Sequence, residues 1–489
     1  MALPTPAVPR LPRLAALVGD VPLAGGSGPE HRHVYPGNGR VTAVLSLAGA
    51  AEVDAAVAAA RRALPAWRQL GGHRRRALLL ALADRLAAQA AELAALSTLE
   101  NGATAAAAAH LAPVAAERFR YYAGFADKVD GRLPQVWQAD ALDYVERVPY
   151  GVVGAIIPWN GPLFAAAMVL APALAAGNTV VLKAPEIAPY TVMRLAELCL
   201  EAGFPPGVVN LVTGGAEVGE AMVAHEGIDK IQFVGSGATA RKVLATAAAT
   251  LKPCGLELGG KSAVLVFADA DFERAVRAGL AGAVSANGQG CVNGTRILVE
   301  RALYERYLEA LTAAARAVPV GDPCDPATAL GPVISEAALA RILGIVERAQ
   351  GEEARLVAGG CRLGGELAEG FFLPVTVLAD VAPESRLAQE EVFGPVLAVL
   401  PFADEEEAVA IANGTDYGLG AYIHTRDLAR AHRLASRMEA GMVQVNAAGE
   451  GMQPFAPFGG MKKSGFGRLG GAEGLAEFLQ TRNVWVGLH

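Results

Sequence analysis

Residues 151–182 contain no charged side chain, and their apolar positions are nearly continuous. A helix that spans a membrane needs about 20 consecutive apolar residues, but Pro158, Pro172 and Gly177 interrupt this stretch. Parallel strands that are buried on both faces have continuous apolar sequences. The pattern therefore predicts a strand over 151–157, a helix over 163–176 and a strand over 179–182, which form a βαβ unit and not a membrane segment.

The apolar spacing on either side of this unit extends the same alternation. It predicts helices over 53–64, 73–99, 103–129, 190–202 and 216–225, and strands over 142–148, 208–212 and 230–234. A second series starts near Ser262, with strands over 263–267 and 396–400 and helices over 272–285, 300–317, 336–349, 405–413 and 428–437. Alternating strands and helices predict an α/β fold with a doubly wound parallel sheet. Residues 1–25 are rich in proline, and we expect them to form an arm on the surface.

Length and charge restrict the class of protein. At 489 residues the chain is too long for one hydrophobic core, so we expect two or three domains. The net charge of −7 and the lack of a long basic run argue against a nucleic-acid partner. The five cysteines form no Cys-x-x-Cys pair, which predicts a reduced, cytoplasmic environment and no metal site.

One carboxylate and one thiol stand in glycine-rich segments that follow predicted regular elements. Glu257 precedes Gly259 and Gly260, and Cys291 follows Gly288 and Gly290. Catalytic groups are commonly placed on such irregular backbone. A thiol attacks as its thiolate, and a nearby carboxylate can take a proton from the thiol or from water. For an isolated cysteine, a buried structural role would be the better interpretation.

Two further segments suit a phosphate or a ribose. Gly235 and Ser236 follow a predicted strand and open a predicted helix, whose N-terminus favours an anion, although an ordinary turn fits about equally well. Lys183 and Glu186 follow the strand over 179–182, at the sheet edge where ligands of α/β proteins bind. A carboxylate there repels a 2′-phosphate, so we expect NAD as the cofactor, with NADP as the alternative.

These segments belong to a larger set of motifs in a fixed order. They are Pro158-Trp159-Asn160, Lys183-Ala184-Pro185-Glu186, Phe233-Val234-Gly235-Ser236, Leu256-Glu257-Leu258-Gly259-Gly260-Lys261, Gly288-Gln289-Gly290-Cys291, Glu390-Glu391-Val392-Phe393-Gly394-Pro395, and Pro457-Phe458-Gly459-Gly460 with Lys463-Ser464-Gly465. In this order the chain resembles the aldehyde dehydrogenase superfamily from about residue 50 to residue 486.

The resemblance implies a role for each motif residue. Cys291 would attack the aldehyde, Asn160 would hold the oxyanion, and Glu257 would activate the water that hydrolyses the thioester. The implied cofactor-binding residues are Trp159, Lys183, Glu186, Gly235, Ser236, Glu391 and Phe393. The reaction would be NAD-dependent oxidation of a small-molecule aldehyde to its acid.

The resemblance also implies three structural parts. A Rossmann-like cofactor domain would comprise 1–127 and 150–261, and an α/β catalytic domain would comprise 262–470. A small β arm for oligomerisation would combine 128–149, which holds a hairpin, with 471–489. Members of the family usually form homodimers or homotetramers, and we expect one of these states.

Departures from the family pattern bear on the substrate. Gly161 and Met168 stand where many members carry an aromatic residue, and Gly290 beside the nucleophile is small. We expect a wide apolar tunnel lined by Gly161, Met168, Gly290, Val292, Met452 and Phe458. None of these residues is an arginine or a lysine, so we expect bulky apolar or aromatic aldehydes and no semialdehydes of dicarboxylic acids. Leu469 replaces a glutamate that many relatives use in proton relay.

Two alternatives use the same segments. A CoA-acylating relative or a thiol esterase could act through Cys291, although Glu257 supplies the water activation that CoA transfer does not need. A non-enzymatic structural protein could also share the fold. The joint presence of Cys291, Asn160, Glu257 and Glu391 argues against it.

Overall fold

The computed structural model describes residues 2–448 and 452–488. The helices are α1 (Ala50–Gln69), α2 (Gly72–Ala88), α3 (Ala90–Asn101), α4 (Ala105–Ala123), α5 (Pro162–Ala176), α6 (Tyr190–Glu201), α7 (Ala216–Ala224), α8 (Gly237–Ala248), α9 (Phe272–Val284), α10 (Tyr304–Arg316), α11 (Glu336–Gly351), α12 (Arg386–Gln389), α13 (Glu405–Asn413), α14 (Leu428–Ala435) and α15 (Gly471–Ala476).

The strands belong to two large sheets and three small ones. They are β1 (Ala16–Val18), β2 (Val21–Leu23), β3 (Glu30–Val34), β4 (Val41–Ser46), β5 (Ala141–Pro149), β6 (Val152–Ile156), β7 (Thr179–Pro185), β8 (Val209–Gly214), β9 (Lys230–Val234), β10 (Cys254–Glu257), β11 (Ser262–Val266), β12 (Gly294–Glu300), β13 (Arg355–Ala358), β14 (Thr376–Ala379), β15 (Val396–Phe402), β16 (Tyr417–Gly418), β17 (Gly420–His424), β18 (Met442–Val445), β19 (Met461–Lys462), β20 (Gly465–Phe466) and β21 (Leu479–Gly487).

The first large sheet has eight strands in the order β2-β1-β8-β7-β6-β9-β10-β20. Its five inner strands, β8, β7, β6, β9 and β10, are parallel to one another. Strand β1 pairs antiparallel with β8 on one side, and β20 pairs antiparallel with β10 on the other. Helices α1, α7 and α8 cover one face, and α2 to α6 contribute to the core on the other. The βαβ unit predicted from the charge-free stretch is confirmed as β6, α5 and β7, with every residue of both strands buried.

The second large sheet has seven strands in the order β13-β14-β15-β12-β11-β17-β18. All of its pairings are parallel except β13 with β14. Helices α9 and α10 pack on one face, and α11 to α14 pack on the other. The chain passes from β10 in the first sheet to β11 in the second through residues 258–261. The α/β fold class is therefore confirmed.

Three expectations need correction. Residues 14–17 are buried, and β1 adds to the first sheet because these apolar residues pack beside β8, so the surface arm ends before them. The helix predicted over 73–99 is two helices that meet at Gln89, whose ψ of 18° is not helical. The hairpin expected in 128–149 is reduced to one bridge between Arg132 and Val145.

Strands β5 and β21 form a separate antiparallel ribbon, in register from Ala141 with Gly487 to Pro149 with Leu479. It exposes large apolar side chains, among them Leu142, Trp485 and Leu488. In residues 2–448 and 452–488, no helix is long and apolar enough to cross a membrane. The same described ranges hold no group of three or more His, Cys, Asp or Glu side chains arranged to bind a metal.

Candidate active site

The segment before Cys291 has an unusual backbone. Ala286, Asn287 and Gly288 all have positive φ angles, of 51°, 53° and 74°. An L-residue in this conformation is strained, and such strain persists only where the surroundings hold it in place. The Asn287 side chain does so, because its Nδ2 donates to Gly102 O at 2.9 Å and its Oδ1 accepts from Gly331 N at 2.9 Å. The loop before Cys291 is therefore held in place by hydrogen bonds from within the protein.

Gln289 connects the same loop to the βαβ unit. Its side-chain Oε1 accepts from Ile334 N at 3.0 Å, and its backbone oxygen accepts from Asn160 Nδ2 at 2.7 Å. Asn101 adds a donor from another side, 3.3 Å from Trp159 O. The structure thus places the Asn160 amide against the loop that carries Cys291. Sequence reasoning missed Asn101, Asn287 and Gln289 as supports, because their acceptors are far away along the chain.

Cys291 is half-buried at the end of this loop. Burial, together with the Glu391 and Glu257 carboxylates, raises the pKa of its thiol to about 12. The backbone N–H groups of Cys291 and Val292 act in the opposite direction, because they lie beside the sulfur. The thiol is thus neutral in the protein alone. A positive charge brought close would favour the thiolate.

Glu257 is the last residue of β10, and its side chain is buried. Neither carboxyl oxygen accepts a hydrogen bond from a described residue. Burial raises the pKa of Glu257 well above its usual value, Arg468 lowers it and Glu477 raises it. Buried polar groups rarely lack partners, so a carboxyl group in this state is suited to act on a water or a ligand.

Gly259 and Gly260 allow the carboxylates and the nucleophile loop to approach each other. A Cβ at Gly259 would lie 2.2 Å from Glu391 Oε2, and one at Gly260 would lie 2.6 Å from Cys291 O. The N–H of Gly260 donates to Glu391 Oε1 at 3.1 Å. Burial raises the pKa of Glu391 to about 7 despite this bond and the nearby Lys261 and Arg341. Both glycines are therefore required by packing at this point.

The side chains expected to hold a dinucleotide lie at the carboxyl ends of the first sheet's strands. Lys183 Nζ is buried and lies 3.8 Å from Glu186 Oε2. Burial lowers the pKa of Lys183, and Glu186 partly offsets this. Ser236 is the N-cap of α8, where its Oγ accepts from Thr239 N at 3.3 Å. Gly235 has no room for a side chain, since a Cβ would lie 2.6 Å from the Phe233 ring.

Trp159 and Phe393 contact each other directly. Their rings meet edge to face with centroids 5.4 Å apart, and Phe393 has a positive φ of 53°. The backbone of Glu391 to Phe393 thus brings one carboxylate beside Gly260 and one aromatic ring beside Trp159. A ligand with a ribose and a flat ring fits this chemistry. The sequence does not show the contact between the two rings, because Trp159 and Phe393 are far apart along the chain.

The residues expected to line the tunnel fall into different surroundings. At Gly161 the space is open, since a Cβ would meet only Phe164 Cβ, at 4.0 Å. Phe164 is the one residue of α5 that is not buried, whereas Met168 belongs to the main core. Phe458 packs against the same core as Phe164.

Gly290, Val292 and Met452 have different surroundings from those of Gly161. A Cβ at Gly290 would lie 2.4 Å from Asn293 Oδ1. The Asn293 side chain therefore fills the space beside this glycine, and Gly290 does not widen a tunnel. Val292 and Met452 line a common cavity of about 260 Å³, which also includes Tyr422 and Asn293.

Leu469 shows what replaces the expected glutamate. Its side chain is buried, and its backbone pairs with Phe458 in both directions, at 2.5 and 2.7 Å. A different carboxylate, Glu477, lies near Glu257 and raises its pKa. Glu477 accepts from Lys230 Nζ at 2.7 Å and from Arg468 N at 3.3 Å. An acidic side chain therefore remains close to Glu257, although it comes from the end of α15.

Arg118 is a residue near Phe164 that the sequence analysis did not identify. It lies on α4, it is buried, and its guanidinium carbon stacks over the Phe164 ring, 4.4 Å from the centroid. The sequence does not distinguish Arg118 from Arg120, which stands two residues further on in the same alanine-rich helix. Arg120 is a surface residue with ion pairs to Asp84 and Glu117.

Comparison with known proteins agrees with this geometry. The Aldehyde dehydrogenase family matches residues 24–484. The betaine aldehyde dehydrogenase of Cereibacter sphaeroides is 39% identical over 479 residues, which are 98% of each chain. The crystal structure of a putative aldehyde dehydrogenase from Burkholderia cenocepacia has a TM-score of 0.95 and 40% identity, and the match covers 98% of each chain.

A third comparison includes a cofactor. The betaine aldehyde dehydrogenase of Staphylococcus aureus in complex with NAD+ has a TM-score of 0.95 and 34% identity, over 98% of this chain and 95% of that one. The sequence motifs, the two sheets that bring them together and these matches support one conclusion. The chain belongs to the aldehyde dehydrogenase family.

Proposed function

We propose that the protein oxidises an aldehyde to its carboxylic acid with NAD as the cofactor. The observation that supports this most is the convergence of three groups. The Asn160 amide donates a hydrogen bond to the loop that carries Cys291, and the Glu257 carboxyl group is close enough to raise the pKa of the Cys291 thiol. The NAD+ complexes of related structures support the choice of cofactor. NAD, when bound, supplies the acceptor for the hydride that leaves the aldehyde carbon.

The nucleophile and its partners perform the first step. The Cys291 thiol gives its proton to water, the resulting thiolate attacks the aldehyde carbon, and the electron pair of the C=O double bond moves to the oxygen. One N–H of Asn160 Nδ2 is bonded to Gln289 O. Its second N–H and the N–H of Cys291 are suited to hold the oxyanion. The C–H bond then breaks with its electron pair, the C=O bond re-forms, and the acyl group is left on Cys291 as a thioester.

Glu257 carries out the second step. Its raised pKa makes the carboxylate a stronger base than an exposed glutamate once it has lost its proton. It takes a proton from a water molecule, the oxygen of that water attacks the thioester carbon, and the C–S bond breaks to release the acid. Glu477, linked to Lys230, is the nearby acidic group to which a proton can pass. This role for Glu257 argues against CoA-acylating chemistry and against a structural protein.

The surroundings of Gly161 support a bulky apolar or aromatic substrate. The space there is open, and the only atom that a Cβ would meet within 4.0 Å is the Cβ of the half-buried Phe164. The name of the Cereibacter sphaeroides relative gives betaine aldehyde as its substrate. A quaternary ammonium group is usually held by several aromatic rings. Gly161 and Met168 do not provide them, and Arg118 adds a positive charge, so we do not propose betaine aldehyde for this protein.

We further propose that the ribbon of β5 and β21 joins subunits. Its exposed Leu142, Trp485, Val486 and Leu488 side chains suit burial against another copy of the chain. The mass in solution from light scattering tests this. A homodimer or homotetramer supports the proposal, and a monomer contradicts it.

A screen for NADH formation tests the activity. Hexanal, octanal, benzaldehyde and betaine aldehyde should be compared with the purified wild-type chain. We expect turnover of the first three and loss of activity in Cys291→Ala. Cys254→Ala is the matched control, because Cys254 is half-buried at the start of the same strand as Glu257. Turnover that survives in Cys291→Ala would contradict the mechanism.

A further inference from the structure

Arg118 is a buried cation with a single hydrogen bond to the part of the chain that the structure describes. Its side chain is 3% exposed, and its Nη2 donates to the backbone oxygen of Met452 at 3.2 Å. Its Nε is buried and finds no acceptor among the described residues. No carboxylate of the described residues forms an ion pair with it. Burial lowers the pKa of Arg118 to about 10, so it still carries its charge at neutral pH.

Two other buried arginines of this chain have more hydrogen-bond partners than Arg118. Arg296 donates to three backbone carbonyls at 2.7 to 2.8 Å. Arg194 forms ion pairs with Glu92, Glu197 and Glu201. A buried charge without such partners is costly unless an anion completes it. Among residues 2–448 and 452–488, Arg118 has one carbonyl acceptor and one aromatic ring, so these residues leave its remaining donors without an acceptor.

The position of Arg118 connects it to the reaction site. Phe164, beneath its guanidinium, lies in the first turn of α5, which begins directly after Asn160 and Gly161. Phe164 is the one residue of α5 that is not buried, and its Cβ lies 4.0 Å from the place of a Cβ at Gly161. Arg118 also donates to the backbone oxygen of Met452, which lines the same cavity as Val292, the residue after Cys291. A guanidinium that stacks on a ring keeps its edge free, and that edge matches a carboxylate in two hydrogen bonds.

We propose that Arg118 binds a carboxylate at the end of the substrate opposite the aldehyde. The substrates are then aldehydes with an apolar or aromatic body and a terminal carboxylate, and the products are dicarboxylates. This inference rests on the proposed oxidation and adds the substrate class to it. It replaces the expectation from the sequence that semialdehydes of dicarboxylic acids are excluded. That expectation considered only the tunnel positions of the family pattern, and α4 was not among them.

The experiment compares para-carboxybenzaldehyde with its methyl ester, and adipate semialdehyde with hexanal. We expect kcat/KM of the wild type to be about tenfold to a hundredfold higher for each carboxylate, the range for a hydrogen bond to a charged group. Arg118→Met should remove this preference, so that the ratio of kcat/KM between each carboxylate and its neutral partner falls to about one. Arg118→Lys should keep part of it, because the charge remains and the two-point geometry does not.

Two controls separate the possible outcomes. Arg120→Met, on the surface of the same helix, should leave the preference unchanged. Inhibition of the wild type by terephthalate, compared with its monomethyl ester, tests the site without any variant, and we expect the dicarboxylate to bind more tightly. Equal kcat/KM for acid and ester, or equal inhibition, would overturn the role of Arg118 while oxidation of the ester still supports the proposed function. Failure to oxidise any of the four would instead contradict the proposed function.

Discussion

Gly288→Ala tests whether the strained loop before Cys291 is needed in its observed form. Gly288 has a φ of +74°, and a Cβ there would lie 2.3 Å from Gly394 C and from Pro395 N. The left-handed backbone costs an alanine about 1–2 kcal/mol, and overpacking against fixed backbone adds about 1–3 kcal/mol. We therefore expect about 2–5 kcal/mol in total, released in part by a shift of the loop.

A matched control separates strain from collision. Gly365 also has a positive φ, of +64°, but a Cβ there meets no atom within 4 Å, so Gly365→Ala should cost only about 1–2 kcal/mol. Thermal unfolding and kcat/KM for benzaldehyde should be measured for both variants. A displacement of about 1 Å at Cys291 should lower kcat/KM about a hundredfold in Gly288→Ala, with little change in Gly365→Ala. Equal melting temperatures and equal activity would refute the reasoning.

The remaining predictions concern the tunnel, the cofactor and the thiol. Gly161→Phe fills open space, so kcat/KM for butanal relative to octanal should rise about tenfold, and an unchanged ratio would contradict the position of Gly161. Glu186→Gln removes a negative charge near a 2′-phosphate, so kcat/KM for NADP relative to NAD should rise; an unchanged ratio would place Glu186 elsewhere. Since burial raises the pKa of Cys291 to about 12, its alkylation by iodoacetamide in cofactor-free enzyme should rise about tenfold per pH unit through neutral pH, whereas a plateau near the ordinary pKa of about 8.5 would contradict this environment.

Burial on both faces made part of the fold predictable. The stretch over 151–182 has no charge because β6 and β7 are buried throughout. A continuous apolar run of strand length, interrupted by proline and glycine, is typical of a buried parallel strand. The break at Gln89 was not predictable, because neither a proline nor a glycine marks it. The burial of residues 14–17 depends on β8, which follows far later in the chain.

The candidate site also has a part that the sequence predicts and a part that depends on tertiary packing. Glu257, Cys291 and Asn160 stand in recognisable motifs, and the structure places them together. Gly290 was interpreted as space, but the sequence does not show that Asn293 occupies the position a side chain would take. Arg118 was invisible for a related reason. Only the packing of α4 against α5 brings it to Phe164, and nothing in the pattern of an alanine-rich helix distinguishes it from the exposed Arg120.

Rapid-mixing kinetics of Glu257→Gln with mass spectrometry tests the central claim most directly. The substitution keeps the size of the side chain and removes the base, so the thioester should form and then persist. We predict a burst of one NADH per active site, slow turnover afterwards, and an added acyl mass on the peptide that contains Cys291. Loss of the burst together with the steady state, or an acyl group on a different cysteine, would contradict the account.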